Sequence, residues 1–208
     1  MPFVPGGHSA PRHTTKETPL TLVTLQAPVR ILSTTRFPGG IQVQRQRSVT
    51  LRFLAEPGDV NFGGKVHGGS VMKWIDQAGY TCAAGWTGAY CVTVYLGGLH
   101  FLGPIFVGEL VELRALVIRT GRSSIDIAVD VYAGDPKTGE RRRTGHCVIV
   151  FVGLSTEGKA SPVPSWEPST PIDKALEGYA VRLGELRKQM DSEMERHLGD
   201  MAAAEGSV

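Results

Sequence analysis

The sequence predicts an α+β fold in which a curled antiparallel sheet wraps one long helix. Three observations carry this. A strand pattern over residues 48–55 precedes a single long helical pattern that starts near Gly68. Four further strand patterns then follow one another to residue 152, joined by short turns. One helix cannot cover both faces of a parallel sheet, so a doubly wound arrangement is excluded.

Taken in order, residues 1–47 form a Pro/Gly/Arg-rich leader, partly disordered by composition, with six basic residues and only Glu17 as an acid. It lacks the apolar stretch of a secretory signal, and a loosely packed leader is favoured over an organelle-targeting segment. Its one apolar patch, Leu20 to Leu32, is fit to add an edge strand. The core domain spans residues 48–155. Val49, Leu51 and Phe53 alternate with polar neighbours in its first strand. In the helix, Met72, Ile75, Gly79, Cys82, Ala83 and Trp86 recur at helical spacing and mark a buried face. Gly79, Ala83 and Ala84 are small enough to let the sheet come close. The next strand, Val92 to Phe101, is broken by Gly97-Gly98, which predicts a bulge or a bend. Leu110 to Arg119 alternates. Ser124 to Tyr132 puts Ile125, Ile127, Val129 and Val131 inward, with Asp126 and Asp130 outward. Thr144 to Val152 closes the set after turn chemistry at residues 134–139. This order is that of a hotdog fold, whose open sheet edges call for a partner chain. A Pro-rich linker covers residues 156–171. Residues 172–201 form an amphipathic helix with Ile172, Leu176, Tyr179, Leu183, Leu186 and Met190 on one narrow seam.

Composition narrows the function classes. In 208 residues there are 22 Lys+Arg and 20 Asp+Glu, a net charge of +2, without the basic excess of a nucleic-acid protein. No segment reaches the ~20 apolar residues of a membrane span. Three cysteines without metal-ligand spacing predict reduced thiols, hence a cytoplasmic protein with no metal site.

The informative stretch runs from Asn61 to Asp76. Asp76 lies four residues after Met72 and three before Gly79, at the border of the buried helix face, where either a surface role or a working carboxylate fits. Gly68 and Gly69 open the helix, where backbone N–H groups and the dipole favour an oxygen that gains negative charge. An ordinary Gly-rich loop has the same look. His67 fits a base or a structural loop residue, and Asn61 fits a water-positioning residue or a turn residue.

Here the pattern resembles a known family. Asn61, Gly64, Val66, Gly68-Gly69, Met72 and Asp76 stand at the spacing of hotdog acyl-CoA thioesterases, nearest the bacterial short-chain and cytosolic acyl-CoA hydrolase branch. Phe101-Leu102-x-Pro104, Gly108, the Thr120-Gly121-Arg122-Ser123-Ser124 turn, Gly158-Lys159 and Pro162 extend the resemblance over roughly residues 48–165. It implies hydrolysis of an acyl-CoA thioester to free acid and CoA. Asp76 would be general base, or nucleophile. Asn61 of the facing subunit would position water or substrate, and the Gly68 and Gly69 amides would hold the thioester oxygen. Thr120, Gly121, Arg122, Ser123 and Ser124 would contact CoA, which enters as substrate rather than cofactor. The Arg141-Arg142-Arg143 run would either reach the nucleotide phosphates or be solvated. A homodimer with shared sites, assembled as a hexamer, is the implied state. Two rivals are an enoyl-CoA hydratase or dehydratase, suggested by His100-Phe101-Leu102-Gly103-Pro104, and a non-catalytic acyl-CoA-binding protein. The first needs that motif before the helix, where it does not stand; the second needs neither Asn61 nor Asp76.

Overall fold

A computed structural model describes residues 34–36 and 42–205. Two short strands, β1 (Thr34–Arg36) and β2 (Gln42–Gln44), pair antiparallel near the end of the leader. The Leu20 to Leu32 patch lies outside the described residues. The domain then comprises β3 (Ser48–Leu54), α1 (Gly68–Thr87), β4 (Cys91–Phe101), β5 (Leu110–Thr120), β6 (Ser124–Gly134) and β7 (Arg142–Gly153), followed by α2 (Pro171–Glu205). The five long strands form one antiparallel sheet in the order β3-β5-β6-β7-β4. The chain therefore leaves one sheet edge, forms α1, and returns at the other edge, which folds the sheet around the helix.

The strands hold their expected faces. Val111, Leu113, Val117, Ile125, Ile127, Val129, Val131, Ile149 and Phe151 are buried against α1. Gly79 is required for that contact: a Cβ there would meet Phe151 Cε2 at 2.8 Å and Ile149 Cγ2 at 2.9 Å. α1 stops at Gly88, left-handed at φ 69°, whose N–H donates to the Ala84 carbonyl. β4 carries the expected irregularity, a register shift between Gly97 and His100, and a second one between Thr93 and Tyr95. Met72 corrects the expected helix face. Val71, Trp74, Ile75 and Ala78 point into the core, whereas Met72 is exposed beside Asp76.

The outer face of the sheet is the less expected part. Asp126 and Asp130 do point outward, yet both are buried. α2 lies over this face, with Leu176, Ala180 and Leu183 against Ile118, Ala128 and Val148. Asp130 is partnered by Arg143 and by His146, whose Nδ1 lies at 2.8 Å. Burial raises its pKa, but His146 and Arg143 outweigh burial and hold the carboxyl below its ordinary value. At Asp126 burial prevails over Arg119 at 3.2 Å, and the pKa is raised. Glu112 is fully buried and takes Arg52, Arg114 and Arg141.

The segment read as a linker is tied to the domain. Val163 N–H donates to the Arg122 carbonyl, Trp86 Nε1–H to the Pro164 carbonyl, and Trp166 N–H to Thr120 Oγ1. α2 begins with a reciprocal cap, in which Thr170 N–H donates to Asp173 Oδ2 and Asp173 N–H to Thr170 Oγ1. Cys82, Cys91 and Cys147 are buried thiols. Burial pushes Cys82 and Cys147 up to about 12, which makes them unreactive at neutral pH.

Candidate active site

The site begins in the loop that feeds α1. Asn61 Oδ1 accepts from Gly63 N–H at 2.9 Å and from Lys65 N–H at 3.4 Å, and so shapes a tight turn with Gly64 at φ 72°. The loop is pinned where His67 N–H donates to the Asp59 carbonyl and Val66 N–H to the Ile105 carbonyl. Asn61 is exposed, and its oxygen is used within the loop; the amide NH2 is the end left for another molecule.

His67 is the N-cap of α1. Its Nδ1 accepts the Gly69 N–H at 2.8 Å. An accepting Nδ1 places the ring proton of the neutral imidazole on Nε2. Of the two expected amide donors, Gly69 is therefore engaged within the chain, and Gly68 is the open one. Phe101 flanks this end, 3.5 Å from where a Gly68 Cβ would stand.

Asp76 lies two turns further along α1 and is exposed. Thr93 Oγ1–H, from β4, donates to Asp76 Oδ1 at 2.5 Å. One carboxylate oxygen is thus fixed in direction while the other is open. Sequence reasoning missed Thr93, because nothing local separates it from any other strand threonine. Met72 and Tyr80, one turn either side of Asp76, are exposed on the same stripe, and Tyr80 meets Tyr90 edge-on at 6.1 Å between centroids.

One chain does not bring the expected groups together. Eight residues of helix separate Gly68 from Asp76, about 12 Å along the axis. No single carbonyl can be held at one and attacked from the other. The Thr120 to Ser124 turn lies at the opposite end of α1 from Gly68, since Trp86 and Thr120 are bonded to the same Pro164–Trp166 stretch. In this turn Thr120 Oγ1 is committed to Trp166, Gly121 N–H donates to the Ser124 carbonyl, and Arg122 is exposed. The basic run is not free: Arg141 pairs with Glu112, Arg142 with Glu109 at 2.7 Å, and Arg143 with Asp130. Among the described residues no cluster of His, Cys, Asp and Glu is arranged to hold a metal ion.

A curled sheet around one central helix is the fold of a class of proteins that act on thioesters, and likeness to its known members puts this chain in it. The profile of the thioesterase superfamily matches residues 63–140. A Haemophilus influenzae protein, named as an uncharacterized acyl-CoA thioester hydrolase, is 34% identical over 137 residues, 64% of this chain and 88% of its own. A crystal structure of an apo-hexameric acyl-CoA thioesterase superposes with a TM-score of 0.66 at 31% identity, over 70% of this chain and 93% of that one. An acyl-CoA hydrolase from Staphylococcus aureus, solved with butyryl coenzyme A and coenzyme A, gives 0.68 at 26% identity, over 75% and 95%. The chain belongs to the thioesterase superfamily, among its acyl-CoA thioester hydrolases.

Proposed function

We propose that this protein hydrolyses acyl-CoA thioesters at sites shared between two copies, with Asp76 as general base. The observation that carries the reading is the Asp76 carboxylate, oriented by Thr93 and open on one side. Support comes from the S. aureus hydrolase, which has been solved as Asn→Ala, Asp→Ala and Thr→Ala variants. The asparagine precedes the aspartate by fifteen residues and the threonine follows it by seventeen. Asn61, Asp76 and Thr93 have the same two intervals.

In the proposed step Asp76 takes a proton from water as its oxygen attacks the thioester carbon. The carbonyl oxygen becomes an oxyanion, held by the open Gly68 N–H at the helix N-terminus, while the Gly69 N–H stays on His67 Nδ1. The tetrahedral adduct collapses, the C–S bond breaks, and the CoA thiolate takes the proton from Asp76. Asn61 orients the water or the carbonyl. In this reading the exposed Arg122, with Ser123 and Ser124 beside it on the turn that Thr120 and Gly121 shape, meets the polar groups of CoA.

The two copies pair through β4. It is an edge strand, and apolar Tyr90, Val94 and Phe101 are exposed along it beside Met72 and Tyr80 of α1. α1 runs alongside β4 in the opposite direction: Tyr80 is level with Tyr90, Asp76 with Thr93, and Gly68 with Phe101. A two-fold axis near Gly97 then sets the Gly68 and Asn61 of one copy beside the Asp76 of the other. Hexameric neighbours accord with further assembly of such dimers. Reduced buried thiols suit a cytoplasmic setting.

The test is a panel of saturated and unsaturated acyl-CoAs with a thiol reagent. Stoichiometric release of CoA thiol supports the reading. Hydration of an enoyl-CoA without thiol release, or saturable binding without turnover, contradicts it. Within that assay Thr93→Val is expected to lower kcat about 10–100-fold, the value of a hydrogen bond to a charged group, with KM and melting temperature nearly unchanged.

A further inference from the structure

We infer that the second half of α2 lies across the outer sheet face of a second copy of this chain. The inference rests on the pairing through β4 proposed above, and not on the chemistry.

α2 crosses its own sheet from the β3–β5 side, where Asp173 pairs with Arg47, to the β4 edge. Leu176, Ala180 and Leu183 pack on Leu116 and Ile118 of β5, Ala128 of β6 and Val148 of β7, and the Arg187 guanidinium stacks on Tyr95 of β4 at 4.6 Å. From Leu176 to Arg187 the helix advances about 16 Å. From β5 to β4 the sheet extends three strand spacings, about 14 Å. The helix thus reaches the β4 edge at Arg187 and runs on for another four turns, about 21 Å to Met201.

Among the described residues nothing covers that second half, although its stripe continues the sheet-facing one. Met190, Met194, Leu198 and Met201 are 58%, 60%, 61% and 49% exposed, and they follow Leu176, Ala180 and Leu183 on the same side of the helix. An isolated helical extension with four large apolar side chains in water is marginal. A second β4 added to the edge places another outer sheet face directly under this stripe. The extension is long enough to span about four strands of it.

Charge accords with the same arrangement, beyond the pairs that Arg182, Arg187 and Arg196 make with Glu185, Asp191 and Glu193 in their own helix. Residues 182–188 carry Arg182, Arg187 and Lys188 against Glu185, whereas residues 191–200 carry Asp191, Glu193, Glu195 and Asp200 against Arg196. The two-fold axis sets two α2 helices antiparallel, so the basic stretch of each runs beside the acidic stretch of the other. A parallel arrangement would set like on like.

The test uses the full-length protein. Cys82, Cys91 and Cys147 are buried, so Met201→Cys offers one exposed thiol for a nitroxide label. Two helices that each cross the seam place the two labels about 40 Å apart, from the helix rise, the strand spacing and the separation of neighbouring helices. A defined distance near that value in electron–electron resonance supports the inference. A distance below about 20 Å, or no defined distance, overturns it. In a second measurement, Met194→Glu with Leu198→Glu is expected to raise the dimer dissociation constant at least about tenfold, with helical content retained because both positions are exposed. Unchanged association overturns the inference. If the β4 pairing itself is wrong, the mixed-subunit assay below fails independently of either result.

Discussion

Replacing Asp76 by Asn is expected to lower kcat for acyl-CoA hydrolysis about 10²–10⁴-fold, the contribution of a positioned general base. Asn matches the volume of Asp and keeps an oxygen to accept from Thr93, so the local hydrogen bond survives while the proton acceptor is lost. Asp76 is exposed in the chain and holds up no core packing, so the melting temperature should change by no more than a degree or two. KM should change far less than kcat, since the thioester oxygen and the CoA moiety are held by other groups. A variant with near wild-type turnover would remove Asp76 from the mechanism.

The second large effect concerns stability. Glu112→Ala deletes the buried carboxylate that gathers Arg52, Arg114 and Arg141 from three segments of the outer face. Breaking a buried pair from one side typically costs ~3–5 kcal/mol. The three guanidinium groups are partly exposed and can rehydrate, so about 2–3 kcal/mol is expected here, or roughly 5–10 °C in melting temperature. The pH dependence has a fixed sign. Burial raises the Glu112 pKa, but hydrogen bonds from Arg114 and Arg52 outweigh burial, and the folded value is lowered. A lowered folded pKa contributes stability above the unfolded value of about 4.3, and that stability is lost as pH falls through the folded value. The gap in melting temperature between wild type and Glu112→Gln should accordingly be full at pH 6–7 and shrink below about pH 4. A gap that is constant with pH would mean that the carboxylate charge plays no part.

The architecture is legible in the sequence because binary patterning and small residues act locally. The alternation of Ile125 to Val131 and the space that Gly79 leaves for Phe151 each follow from a few neighbouring residues. Features that depend on distant partners are not legible. Asp126 and Asp130 read as solvent-facing because alternation gives the side of a sheet, and not whether a helix from residues 171–205 lies over it. Arg141, Arg142 and Arg143 read as a charge run, and only the fold brings Glu112, Glu109 and Asp130 to them. Met72 sits on the helix border, where one position decides between core and cleft. At the site, Asp76, Asn61 and Gly68 stand out only through their resemblance to the motif of hotdog acyl-CoA thioesterases. Thr93 does not, since its role exists only across the β4–α1 contact, and neither does the use of the Gly69 N–H by His67.

The central claim is that each site takes Asn61 and the α1 N-terminus from one copy and Asp76 from the other. Mixing inactive subunits tests it most directly. Asn61→Ala and Asp76→Ala proteins, combined in equal amounts and allowed to exchange subunits, form mixed dimers about half the time. Each mixed dimer has one complete site of two, so about a quarter of wild-type activity should return. Exchange is verified separately, by native mass measurement with one variant isotopically labelled. Recovery near one quarter is the predicted result. No recovery once exchange is demonstrated would show that each chain carries its site alone, and would contradict the account.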